Sequence, residues 1–164
     1  MSALEQMPKN SRVWIFQSDK QLSDSEVETI KSGGEVFIES WTSHEKQMNA
    51  ILEIQNNVFV MVALDESSAG ASGCGIDKLT KFIQNISAEL NIDFFSRLKI
   101  AYLTNENKID FFNASSLDVL LEKEVLNNDT IIFSNHTVLI LEDLETQWKQ
   151  KLNESWLSHN YSTK

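Results

Sequence analysis

Cys74 is the sole cysteine of this 164-residue chain, and three of its five glycines, Gly70, Gly73 and Gly75, crowd around it. The surrounding stretch begins with Asp65-Glu66-Ser67-Ser68 at the end of an apolar run, Val58 to Leu64. It ends with Ser72-Gly73-Cys74-Gly75-Ile76-Asp77, where a helix-periodic run starts. A thiol at a helix start is favoured as the thiolate, the nucleophilic form. His44, expected at the end of the first helix, could act as its base, and Asp65 at a strand end could orient the imidazole. That Cys-His-Asp set is the catalytic reading of the chain. The plainer alternative is a small buried cysteine filling space among glycines.

The same stretch permits a binding reading. Ser72, Gly73, Gly75 and Asp77 sit where backbone N–H groups at a helix start can hold an anion. Asp77, expected inside the first helical turn, would instead complement the helix dipole, and Ser72 would cap the helix. Asp65, Glu66 and Asp77 offer oxygen atoms to a hard cation, but in no EF-hand spacing. His44, His136 and His159 stand in no close metal spacing, and one cysteine excludes both an intrachain disulfide and a multi-cysteine metal centre. No metal or other cofactor is therefore expected. A contact with a partner protein or a small ligand at the 65–77 loop is the leading reading; a cysteine-dependent hydrolase, transferase or redox thiol is the alternative.

Strands and helices must position these groups. Val13-Trp14-Ile15-Phe16 and Val58 to Leu64 are continuous apolar runs, the pattern of strands covered on both faces. Ala50, Leu52 and Ile54 alternate with Ile51, Glu53 and Gln55, as an edge strand does, and Asn56-Asn57 marks a tight turn between the two strands. Ser23-Asp24-Ser25-Glu26 is a capping box opening a helix that carries Val27, Ile30, Phe37, Ile38 and Trp41; Gly33-Gly34 should kink or break it. Ile76, Leu79, Phe82, Ile83, Ile86 and Leu90 form the clearest helical stripe. Leu98, Ile100 and Tyr102 read as a strand with a hairpin partner at Ile109 to Phe112. A shorter helix follows Ser115-Ser116, then a strand at Ile131 to Phe133 and a last amphipathic helix through Leu141, Leu144, Trp148 and Leu152. Of the four tryptophans, Trp156 is the best candidate for an exposed contact residue.

The order strand-helix-strand-strand-helix-strand over the first 103 residues is that of an α+β, ferredoxin-like βαββαβ core. The extra hairpin strand and C-terminal helices would extend or cover its sheet. Residues 1–11 read as a flexible lead-in, 12–157 as one domain and 158–164 as a polar tail. A free edge strand in such a sheet could pair with a second copy, giving a homodimer.

A net charge of −10, from 24 acidic and 14 basic residues, opposes binding to nucleic acid or to anionic membranes. The N-terminus has no apolar signal region and no apolar run spans a membrane, so a cytoplasmic protein is expected.

Three segments taken together resemble a small family of uncharacterised bacterial proteins often labelled ABC transporter ATPase. They are Arg12-Val13-Trp14-Ile15-Phe16-Gln17-Ser18-Asp19, Trp41-Thr42-Ser43-His44 and Ala71-Ser72-Gly73-Cys74-Gly75-Ile76-Asp77, with Ser155-Trp156 following Trp148. The label itself implies nucleotide hydrolysis, which needs a glycine-rich phosphate loop ending in Gly-Lys-Ser/Thr. No Gly-Lys pair occurs in the chain, so ATPase chemistry is not expected. The resemblance implies no catalytic residues.

Overall fold

A computed structural model describes residues 2–160. The chain is a mixed α+β protein with antiparallel sheets. Its strands are β1 (Arg12–Gln17), β2 (Thr42–Ser43), β3 (Lys46–Gln47), β4 (Asn49–Gln55), β5 (Phe59–Asp65), β6 (Lys99–Leu103), β7 (Ile109–Asn113), β8 (Ile131–Phe133) and β9 (Lys149–Lys151). Its α-helices are α1 (Asp24–Ser40), α2 (Gly73–Leu90), α3 (Leu117–Glu122) and α4 (Asp143–Thr146).

Side-chain alternation builds the layers. In β5, Val60, Val62 and Leu64 point toward α1 and α2, where they meet Ile30, Leu79 and Ile83. Phe59, Met61 and Ala63 point the other way, toward Ala101 of β6, Phe133 of β8 and Trp148. In β6, Ala101 and Leu103 face that shared middle layer, whereas Ile100 and Tyr102 face outward and pack with Leu117, Leu126, Leu152 and Leu157. The period-2 geometry of strands thus stacks helices, a first sheet, a second sheet and a C-terminal cover. β5 is buried along Phe59–Leu64 because both of its faces are covered.

The first sheet has the order β1-β5-β4 and the second β7-β6-β8-β9. The first order is the one a βαββαβ core requires of its first three strands. The fourth strand departs from it. β6 does not join the first sheet beside β1; it pairs with β7 over five residue pairs and meets β8 at Tyr102 and Ile132. The physical reason lies in β6's two apolar faces: beside β7 and β8 it buries one against β5's sheet and the other against the C-terminal cover. The continuous apolar run of β1, which in a βαββαβ core would suit a central strand, ends up at an edge for the same reason. β1 lies at the sheet's edge, and its outer side is strapped by the 139–141 segment through Val13 N–H to Leu139 O (3.0 Å) and Leu141 N–H to Ser11 O (2.9 Å).

Two helical expectations also change. α1 runs unbroken through Gly33 and Gly34: Gly34 is a close approach to Leu52 of β4, whereas Gly33 faces Phe82 of α2 at a distance that leaves room for a Cβ. The final amphipathic helix does not form. Only Asp143–Thr146 is α-helical there, Leu152–Glu154 forms a 3₁₀ turn, and Lys149–Lys151 pairs with β8, satisfying a sheet edge that a helix would have left bare. Leu4 is buried with the middle layer, so the lead-in is anchored to the core. Residues 161–164 of the expected tail lie outside the described residues.

Candidate functional site

α2 begins at Gly73, three residues before the apolar stripe announces it. Ser72 is its N-cap and its Oγ accepts the Gly75 N–H at 3.2 Å, as the capping reading expects. Because the helix starts early, Asp77 falls beyond the first turn and does not perform the dipole role expected of it. Cys74 is exposed, which overturns the space-filling alternative. No atom comes within 4 Å of a Cβ built on Gly73, so the space above that position is open.

Beside this helix start sits a small hairpin, β2 and β3, joined by a two-residue turn. The turn residues are His44 and Glu45, both with positive φ (51° and 67°). His44 therefore stands at a hairpin tip and not at the end of α1. Side-chain hydrogen bonds from three residues, Ser43, Trp41 and Lys78, fasten the hairpin region to α2. Ser43 Oγ and Ser72 Oγ are 2.6 Å apart, Trp41 Nε1–H donates to Gly75 O at 2.9 Å, and Lys78 Nζ donates to Thr42 O at 3.1 Å. Gly75 is required by the closeness of this fit, since a Cβ there would fall 2.9 Å from Met48 Cε.

Trp14 meets Trp41 edge to face, with ring centroids 6.0 Å apart, and the Arg12 guanidinium lies over Trp14 at 4.8 Å. Arg12 also reaches Glu66 at 3.8 Å, an exposed pair contributing little by itself. The Glu66 carboxylate accepts the Ala71 N–H at 3.0 Å and so closes the loop into α2. Segments 12–19, 41–44 and 71–77, which carry the resemblance and are well separated in sequence, thus meet at one end of the helical layer.

The proposed catalytic set is not joined by hydrogen bonds. Asp65 Oδ1 accepts the Ser67 N–H at 3.0 Å and Oδ2 faces Asn49 Nδ2 at 3.4 Å. These contacts, the Ser67 backbone N–H first, hold its carboxyl below the usual aspartate range. The Asp65 carboxylate is thereby used for the turn after β5. The His44 ring and the Cys74 thiol have no hydrogen-bond partner among the described residues. Among those residues no group of three or more His, Cys, Asp or Glu is placed to hold a metal ion.

Sequence reasoning missed Ser43, Trp41 and Met48 as builders of this corner. The Trp41-Thr42-Ser43-His44 segment was the available signal, but spacing alone does not say what it touches. Trp156 is partly exposed, at 39%, and stands edge-on to His136, with ring centroids 5.4 Å apart. No helix among the described residues is long and apolar enough to cross a membrane. Compared with known protein families, curated proteins and solved structures, the chain matches none.

Proposed function

We propose that this protein is a binding module whose contact surface is the 65–77 corner together with the tip of the β2–β3 hairpin. One observation carries the reading. Ser43, Trp41 and Lys78 fasten the hairpin to the first turns of α2, and the side chains at the rim, His44 and Cys74, remain exposed and unpartnered. A surface held rigid from beneath and left uncommitted above suits recognition of a partner protein, because little ordering entropy is lost on contact. Meeting here of the three resembling segments supports the same site. The β1-β5-β4 order with both long helices on one face supports kinship with the ferredoxin-like arrangement, with β6 diverted into the second sheet.

Cys74 supplies the test, being the only thiol in the chain and exposed. A photo-activatable cross-linker placed on it in cell extract should yield one dominant adduct. Gly73→Val, whose Cβ meets no atom within 4 Å, should abolish that adduct while the native circular dichroism spectrum is retained. An adduct that survives both Gly73→Val and Asp77→Ala would remove the corner as the contact surface. A thiol-dependent enzyme is the second reading, favoured only by the exposure of Cys74. A Cys74→Ala protein with full biological activity would eliminate it.

A further inference from the structure

At the other end of β5, a cleft of about 820 Å³ opens between the two sheets. Asn56 and Asn57 precede β5, whereas Asp65 ends it, so the cleft lies roughly 20 Å from the corner at about 3.3 Å of rise per residue. Two lysines line it, Lys108 and Lys149, and no carboxylate does. The cleft lining is thus locally cationic on a chain whose net charge is −10. Lys149 makes no ion pair among the described residues and stands over the Phe133 and Trp148 rings, 5.9 Å from each centroid. Lys108 meets only the highly exposed Glu106 at 3.6 Å, a contact readily exchanged for a better anion.

The rest of the lining is amide and aliphatic. Asn56, Asn57 and Asn107 line the cleft from two turns, where all three adopt positive φ (56°, 53° and 61°). None of the three side chains makes a hydrogen bond among the described residues. An amide both donates and accepts, as a hydroxyl does, so a row of free amides matches a polyol. Leu103 and Ile109 supply an apolar strip of the kind that contacts the C–H face of a sugar. A compact ammonium is suited to a phosphate as a point charge.

From these features we infer that the cleft binds a small hydroxylated phosphate ester of the sugar-phosphate class. The phosphate would lie between Lys108 and Lys149, and the hydroxyls against the asparagine amides.

The probe is ribose 5-phosphate, titrated into the ¹⁵N-labelled full chain and followed by NMR, with ribose and inorganic phosphate as separate arms. Ribose 5-phosphate should shift Asn56, Asn57, Asn107, Lys108 and Lys149, inorganic phosphate should shift the lysines more weakly, and ribose alone should shift nothing. Lys108→Gln and Lys149→Gln should each weaken ribose 5-phosphate about two- to tenfold. Asn57→Gly keeps the left-handed backbone while deleting the amide. It should weaken ribose 5-phosphate and leave inorganic phosphate unchanged. Shifts that persist in the double lysine variant, or their absence at millimolar ribose 5-phosphate, would overturn the site. Equal binding of inorganic phosphate and ribose 5-phosphate, unaffected by Asn57→Gly, would overturn the sugar-phosphate assignment.

Discussion

Adjacent glycines in the middle of α1 should respond oppositely to the same substitution. Alanine in place of glycine inside a helix gains about 0.5–1 kcal/mol, because the unfolded chain loses freedom and the helix does not. At Gly33 a Cβ would lie 3.6 Å from Phe82 Cε1 and 3.8 Å from Ile86 Cδ1, ordinary contact distances, so Gly33→Ala should realise that gain. At Gly34 the Cβ would lie 2.9, 3.0 and 3.3 Å from Leu52 Cδ1, Cδ2 and Cγ. All three atoms of the leucine fork are crowded at once, so rotating one methyl away does not clear the site, and α1 must lift from β4 or Leu52 must leave its rotamer. Overpacking of this kind costs about 1–3 kcal/mol. Gly34→Ala should therefore fall below Gly33→Ala by about 1–3 kcal/mol. At about 2–4 °C per kcal/mol for a chain of this size, that is a gap in melting temperature of about 2–12 °C. Urea unfolding with both variants, read by circular dichroism, gives the free energies directly. A Gly34→Ala protein as stable as Gly33→Ala would show that the helix does not rest on Leu52.

Three further outcomes follow from the geometry. Ser72→Ala should cost about 1 kcal/mol in urea unfolding, since its Oγ caps the Gly75 N–H and also meets Ser43; an unchanged midpoint would mean that the cap contributes nothing. The exposed Cys74 thiol should titrate fully with a thiol reagent in the native state, and His44→Ala should leave the rate unchanged because no hydrogen bond joins the two; a large fall in rate would mean that the imidazole activates the thiol. The Glu26 carboxyl is held below the usual glutamate range, first by Lys20 and then by the Ser23 backbone N–H. Its folded-state value is depressed, so its stabilisation is complete above the ordinary glutamate range and is lost as pH falls through the lowered one. Lys20→Ala should therefore be less stable than the parent at neutral pH and equal to it in strong acid, as unfolding at several pH values will show. A deficit that stays constant with pH would remove the ion pair as its cause.

Local signals reported local structure well. The Ser23–Glu26 capping box, the Asn56-Asn57 turn, the β6–β7 hairpin and the helical stripe of α2 all stand where the residues put them, because each depends on groups within a few positions of one another. What failed was whatever needed a partner distant in sequence. The glycine pair reads as a break until Leu52 is seen to occupy the room that a side chain at Gly34 would need. Trp148 and Leu152 share helical spacing with Leu141 and Leu144, but the unpaired edge of β8 draws the intervening residues into a strand. β1 is apolar along its length because a strap and two layers cover it, which hydropathy does not distinguish from a central place in a sheet.

The corner at Cys74 follows the same logic. The thiol is the conspicuous group in the sequence, yet the corner is built by residues with no reactive group. Ser43 and Ser72 share a hydrogen bond across the hairpin–helix junction, Trp41 donates to a helix carbonyl, and Gly75 lacks the side chain that would collide with Met48. Asp65, which completed a triad on paper, uses its carboxylate to close the turn after its own strand. Reactive residue types in one neighbourhood are therefore a weak guide to a triad, since no hydrogen bond joins Cys74, His44 and Asp65 among the described residues. Complementary small residues from separate segments are a stronger guide to a built surface, because their closeness is costly to arrange and is wasted unless the surface they hold is needed in that shape.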